Sequence, residues 1–139
     1  MSENQLVLGQ QKVEAKSNEI TAIPHLLAML DITGCVVTID AIGTQIDIAQ
    51  QIVKQQADYI LPVKENQGSL YQDMQLLFDG FEQENYVEVP HETAKRISEG
   101  HDRREIRQCW VVTEPEYRAY LRRGQDWSQL TSQIGRASC

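Results

Sequence analysis

The run CVVTID at positions 35–40 decides the fold of the first half of the chain. It is short and almost continuously apolar, which is typical of a strand buried on both faces in a parallel sheet. A helix is predicted next, over residues 45–57, because Thr44 and Asp47 have the spacing of a capping box and an apolar stripe follows them. The segment DYILPV at positions 58–63 then predicts a second strand.

The elements on either side of this strand–helix–strand unit extend the same alternation. A strand over residues 6–13 and a helix over residues 19–31 precede the unit, and a third helix follows between Ser69 and Phe81. Such an alternation of strands and helices predicts an α/β fold with right-handed crossovers.

The pattern changes after this third helix, where the chain becomes polar and charged. Residues 86–89 and 104–113 alternate as strands do, and we expect them to pair antiparallel. A short helix is predicted to stop at Gly124, and residues 127–139 show no clear element. Three arginines near the short helix are interpreted as part of a solvated helix face: Arg118, Arg122 and Arg123.

Charge is divided unevenly along the sequence. The 139 residues include 13 basic and 20 acidic side chains, and the formal net charge of −7 argues against a simple basic nucleic-acid-binding protein. Residues 1–94 carry a net charge of −10, however, whereas residues 95–139 carry +3. The basic excess is therefore confined to the last third of the chain.

Composition and cysteine usage indicate an ordinary globular domain. No apolar run approaches the roughly 20 residues of a membrane-spanning helix, and the polar N-terminal residues lack the pattern of a signal peptide. Cys35, Cys109 and Cys139 are odd in number and widely spaced, so they form neither a disulfide framework nor a CxxC metal motif. A reducing, cytoplasmic setting is expected. Cys35 lies in the predicted buried strand and is interpreted as a core residue.

Candidate binding residues stand at the ends of the two predicted strands. Asp40 ends the first strand, where sites gather in open α/β sheets, and its carboxylate suits a hard divalent cation. The alternative is that Asp40 only forms the following turn. Lys64, Asn66 and Gln67 end the next strand and suit contacts with phosphates, bases or sugars. Their alternative is a solvated turn.

The densest charged cluster is HDRREIR at positions 101–107. Its arginines suit phosphate recognition, because a guanidinium group is planar and permanently charged. Glu105 and Arg107 share a strand face by period-two spacing, so a surface ion pair is the alternative. A metal site at His101 is disfavoured because there is no second histidine at ligand spacing. The candidate DNA contacts of this cluster are His101, Arg103, Arg104 and Arg107.

Five longer segments occur in one order along the chain: LGQQKV at 8–13, KSNEITAIP at 16–24, VTIDA at 37–41, ADYILPVKENQG at 57–68 and GHDRREIR at 100–107. Together they resemble bacterial insertion-sequence transposases of the H-repeat-associated group, which belong to the DDE superfamily. The resemblance implies the middle part of an RNase H-like catalytic core in residues 1–81. It also implies an incomplete β-containing insertion segment in residues 82–139.

The resemblance also implies a chemistry. In the DDE superfamily three carboxylates hold two divalent metal ions, usually Mg²⁺ (or Mn²⁺), which promote cleavage and strand transfer at DNA phosphodiesters. Asp40 matches the second aspartate of that triad. Glu105 is the nearest acidic candidate for another ligand, but it matches a strand of the insertion segment better. Asp102 stands where that strand's motif commonly has glycine.

Since the family's first aspartate lies upstream of these segments and its glutamate downstream, the chain is expected to be a fragment without strand-transfer activity of its own. The resemblance implies transposon-end DNA as a partner and a homodimer in the complete enzyme, with no membrane association. Two alternatives stay open, namely a catalytically dead DNA-binding remnant and an unrelated α/β domain that binds a small molecule.

Overall fold

The computed structural model describes residues 7–10 and 19–138. They form a mixed α/β structure, as predicted, that divides into two compact units after Gln67. No helix among the described residues is long and apolar enough to cross a membrane. The predicted boundary after residue 81 stays a prediction.

The first unit is a parallel strand–helix–strand arrangement preceded by a helix. Its two strands pair in parallel, with Val37 opposite Tyr59, and the helix between them makes the crossover. A 3₁₀ turn follows each strand, at Ala41–Gly43 and Glu65–Gln67. The longer elements are α1 (Glu19–Ala28), β1 (Val36–Thr38), α2 (Ile46–Lys54) and β2 (Asp58–Ile60).

Helix α2 forms the core of this unit through Ile48, Ala49 and Ile52, whereas Ile46 and Val53 of the predicted stripe are only half-buried. Ile48 and Ile52 are fully buried and pack with Leu27 of α1 and with Ile32. Burying a side chain of this size contributes about 1.5–3 kcal/mol, so these contacts stabilise the unit substantially.

The prediction that the first strand is buried on both faces is wrong. Val37 packs against the core, whereas Val36 is 58% exposed and Ile60 on β2 is 52% exposed. Cys35 is also exposed, so its interpretation as a core residue is wrong. The reason is that only two strands pair in this sheet among the described residues, and the core cluster covers one face. Residues 7–10 form no strand, and the rest of the strand predicted over residues 6–13 lies outside the described residues.

The second unit contains one long helix and a three-stranded antiparallel sheet. The strand order is β3-β4-β5, and Ile97 of β3 lies opposite Ile106 of β4. The elements are α3 (Gly68–Gln83), β3 (Glu92–Gly100), β4 (Arg103–Val112), α4 (Pro115–Tyr120) and β5 (Gln133–Ser138).

One strand prediction in this unit is wrong, and two strands of the sheet were not predicted. Residues 86–89 form a turn, because Asn85 and Tyr86 have positive φ angles of 53° and 57° that take the chain out of the helix. Their alternating pattern reflects the burial of Tyr86 and Val89 in the core. Strand β3 begins three residues later and is exposed at every position, so it has no hydrophobic signature. Strand β5 lies where no element was expected.

Aromatic side chains build the core of the second unit. Phe81 of α3 meets Tyr117 edge-on, with ring centroids 4.8 Å apart, and Tyr86 stacks on Trp110 at 5.0 Å. Gly135 lets β5 approach α3 closely, because a Cβ atom there would lie 2.5 Å from Cδ1 of Phe78. The sheet is therefore packed against α3 through the end of the sheet that contains Trp110 and Gly135.

Candidate functional site

Asp40 lies two residues after the end of β1 and is exposed to solvent. It occupies the N-cap position of the 3₁₀ turn, but its side chain makes no capping hydrogen bond; the turn is closed by the Gly43 amide, which donates to the Asp40 carbonyl at 2.8 Å. The carboxylate is thus not used to form the turn. A metal-binding or catalytic role for Asp40 stays a prediction.

The segment after β2 holds the loop that follows Asp40. The Asn66 side-chain amide donates to the Ala41 carbonyl at 2.9 Å, and the Gln67 amide donates to the Thr44 carbonyl at 2.7 Å. In return, the Thr44 hydroxyl donates to the Pro62 carbonyl. The structure therefore brings the two strand ends together at one edge of the parallel sheet.

These three hydrogen bonds fix the backbone on the C-terminal side of Asp40. Each contributes about 0.5–1.5 kcal/mol, and Thr44 is 1% exposed, so its backbone carbonyl depends on Gln67 for a partner. Gly43 is required at its position because a Cβ atom there would overlap Cγ2 of Ile39. With their amide nitrogens engaged here, Asn66 and Gln67 have a structural function that the sequence pattern did not reveal. Their predicted contact with DNA stays a prediction.

The described residues do not by themselves make a divalent-metal site. No group of three or more His, Cys, Asp or Glu side chains in ranges 7–10 and 19–138 is placed to hold an ion. Asp40 supplies one carboxylate, whereas a hard cation takes six or more oxygen ligands. The side chains of Lys64 and Glu65 near this sheet edge are exposed.

The predicted basic cluster lies around the turn between β3 and β4. His101 and Asp102 form the two-residue turn with positive φ angles of 22° and 65°. Such angles are the reason that glycine is favoured in tight hairpin turns. The candidate DNA contacts are all exposed: His101, Arg103, Arg104 and Arg107.

The arginines of this cluster lie on two opposite faces of the hairpin and have different acidic partners. Arg107 donates to Glu105 at 2.8 Å, so the surface ion pair considered from the spacing is present. Glu105 lies on a strand and its carboxylate is engaged with Arg107, and its role as a further acidic ligand stays a prediction. Arg104 lies on the opposite face and approaches Glu99 at 3.9 Å. Both pairs are solvent-exposed and contribute little to stability.

A buried carboxylate that the sequence interpretation missed is Asp73 on α3. It accepts hydrogen bonds from the Arg122 backbone amide at 2.9 Å and from Nε of the same residue at 3.0 Å. These bonds hold the pKa of Asp73 below its ordinary value. The available signal was its position on the apolar face of α3, with Leu70 and Leu77 at i−3 and i+4.

The helix-face interpretation is wrong for Arg122 and Arg123, because α4 ends at Tyr120, although both side chains are exposed. Arg122 lies just beyond α4 and binds Asp73. Arg118 donates to the Leu130 carbonyl at 2.8 Å and thereby ties the following loop to α4. Arg123 is exposed and pairs with Asp126.

Comparison with known proteins gives a consistent set of relatives. The family model described as the transposase DDE domain matches residues 2–125. The H repeat-associated putative transposase YhhI of Escherichia coli strain K12 is 47% identical over 112 residues, which cover 80% of this chain and 29% of that protein.

Two further relatives are also named as putative transposases. The H repeat-associated putative transposase YbfD of the same strain is 46% identical over 112 residues, covering 80% of this chain and 43% of that protein. The putative transposase YncI of Escherichia coli O157:H7 is 60% identical over 70 residues, covering 50% of this chain and 18% of that protein. The chain thus spans less than half the length of each of these relatives. No solved structure matches it.

Proposed function

The chain belongs to the transposase DDE domain family, and we propose that it serves DNA transposition. The observation that carries this proposal is the placement of Asp40. Its carboxylate is exposed at the carboxyl edge of a parallel strand pair and is not consumed in capping, and the loop behind it is fixed from the neighbouring strand end. Sites of open α/β sheets lie at this edge.

In this proposal Asp40 is one of the carboxylates that hold the divalent cations of the reaction, Mg²⁺ or Mn²⁺. One carboxylate cannot hold two ions, and the described residues do not complete the set. We therefore expect the chain alone to lack cleavage and strand-transfer activity. An RNase H-like arrangement of the complete core belongs to the same proposal, as does a cytoplasmic location.

The proposed partner is transposon-end DNA, with a second copy of the chain in the complete enzyme. Lys64 follows β2 and is exposed, and its ammonium group suits a phosphate, while Asn66 and Gln67 position the loop after Asp40. The hairpin residues His101, Arg103, Arg104 and Arg107 provide a second set of proposed contacts.

The metal-binding part of the proposal is tested on the purified chain by Mn²⁺ titration. Paramagnetic broadening of amide NMR signals is expected first around residues 40–44 and 64–67. It should be lost in Asp40→Asn and retained in Asp58→Asn, which removes an exposed carboxylate from the start of β2. Broadening that is the same in wild type and in Asp40→Asn would contradict the assignment of Asp40 as a metal ligand.

A cleavage assay with transposon-end DNA and Mg²⁺ tests the expected inactivity. Cleavage that disappears in Asp40→Ala would show that the chain already contains a working set of ligands. DNA binding without preferential Mn²⁺ binding at Asp40 would favour the alternative of a DNA-binding remnant.

A further inference from the structure

The outer face of the β3-β4-β5 sheet carries four arginines drawn from all three strands. Residues opposite each other in an antiparallel pair point to the same face. Arg96 is opposite Arg107, Arg103 is opposite Gly100, and the residue opposite Arg136 is Cys109. We call this set, Arg96, Arg103, Arg107 and Arg136, the arginine face.

The other face of the sheet is the one that packs on the aromatic core. Trp110 stacks on Tyr86, Val112 is fully buried, and Gly135 contacts Phe78. These residues alternate with those of the arginine face along β4 and β5. The arginine face is therefore the solvent side of the sheet, and all four of its arginines are exposed.

Little of this positive charge is neutralised by the protein. Among the described residues, Arg107 alone of the four has an acidic partner, Glu105, and the two side chains are 66% and 44% exposed. Within the described part of the chain, Arg96, Arg103 and Arg136 form no ion pair. A face with unpaired guanidinium groups on a protein of net charge −7 is a local concentration of positive charge.

The register also places like charges against each other. Directly opposed residues have their Cβ atoms about 4.5–5.5 Å apart, and diagonal neighbours lie about 7–8 Å apart, so the Arg96–Arg107 pair is repulsive and Arg136 adds to it from the third strand. An anion between these groups removes the repulsion. Arginine binds phosphate through two parallel N–H donors, which makes phosphate the anion that fits best.

We propose that the arginine face binds the sugar–phosphate backbone of duplex DNA, with Arg96 and Arg136 as contacts additional to the hairpin residues. This inference rests on the proposed DNA partner, but it assigns the contact to a face of the sheet. Arg103 and Arg107 are four residues apart on one strand, about 13 Å, so the face is too broad for one phosphate.

The absence of aromatic rings favours a duplex over a single strand. Single-strand-binding surfaces stack bases on aromatic side chains. Among the described side chains of the sheet the aromatic one is Trp110, which points to the core. A surface with arginines and no aromatic residue contacts backbone phosphates and does not read unstacked bases.

The test measures binding of a fluorescein-labelled duplex of random sequence by anisotropy as salt is varied. Arg96→Gln, Arg136→Gln and the double variant are compared with Lys95→Gln, which removes one positive charge from the same strand on the opposite face. We expect the slope of log K against log salt to fall by about 0.9 per arginine, with about tenfold weaker binding in the double variant. Lys95→Gln should retain the wild-type slope.

Three results would overturn the inference, and each leaves a different conclusion standing. Unchanged binding in the double variant, with loss in an Arg104→Gln chain, would keep DNA as partner but move the contact to the other face. Absence of any duplex binding at low salt, with Mn²⁺ still bound at Asp40, would remove the DNA face and leave the metal proposal intact. A dimer that the double variant abolishes, without DNA binding, would identify a second copy of the chain as the occupant.

Folding of the variants is checked by their thermal midpoints. Because Arg96 faces Arg107, removal of one charge should leave the midpoint unchanged or raise it. A weaker-binding variant with a lowered midpoint would assign the loss to unfolding and contradict the direct contact.

Discussion

The two sheets of this chain are built on opposite principles. In the first unit, two parallel strands of three residues each are held by the apolar face of α2. In the second unit, antiparallel strands of nine and ten residues pair along their length while β3 buries none of its side chains. The difference shows that hydrophobic burial specifies the first sheet. Backbone pairing specifies the second, together with the aromatic core around Phe81, Tyr86 and Trp110.

The strongest test of this contrast removes a core side chain from the first unit. Ile52→Ala deletes a fully buried side chain on α2 and is expected to cost about 2–5 kcal/mol, enough to unfold the unit. Urea unfolding followed by circular dichroism measures the loss. Ile60→Ala is the matched control, because Ile60 is half exposed in the same unit and should cost far less. Equal effects would mean that burial does not decide the stability of this unit.

In the second unit the corresponding test weakens a buried polar interaction, the hydrogen bonds between Asp73 and Arg122. Asp73→Asn weakens the hydrogen bonds to Arg122 and should cost about 1–3 kcal/mol, whereas Asp79→Asn on the exposed side of α3 should cost little. Both tryptophans of the chain, Trp110 and Trp127, lie in this unit, so their fluorescence reports its unfolding. A wild-type midpoint in Asp73→Asn would show that the pair is dispensable.

The same carboxylate gives this unit a pH dependence. Because the pKa of folded Asp73 is lowered, its contribution to stability is complete above the ordinary carboxyl pKa near 4 and is lost as pH falls through the lower folded value. The difference between wild type and Asp73→Asn should therefore shrink below about pH 4. A difference that grows on acidification would contradict the assigned direction.

The smallest expected effect is local to the candidate site. Gln67→Ala removes the donor to the Thr44 carbonyl and is expected to cost about 1 kcal/mol, with faster amide exchange across residues 41–45. Gln50→Ala, at an exposed position of α2, is the matched control. If exchange accelerates equally in both variants, the loop is not held by Gln67.

The comparison of the two sheets also explains which features were predictable from sequence. The helix between the two parallel strands and the position of Asp40 after a strand follow from the hydrophobic pattern, and both are confirmed. Strand β3 was missed because an element exposed at every residue has no periodicity to detect. The β5 pairing was missed for a related reason, since its position is decided by β4.

Pairing between distant residues accounts for the remaining differences. Asp73 and Arg122 are 49 positions apart, and nothing in either local pattern specifies the other. Asn66 and Gln67 were singled out as polar residues at a strand end, but their hydrogen bonds to the Asp40 loop depend on how β1 and β2 align. Residue type identified these positions, and only the fold revealed their partners.

The exposed side of the β1–β2 pair has a consequence for the behaviour of the chain in solution. Val36 and Ile60 present branched apolar side chains to water, while strands of three residues offer too few backbone groups to hold an added strand firmly. Self-association through this surface is therefore governed by dehydration of apolar groups. Such association strengthens on warming, so the chain should stay dispersed best in the cold.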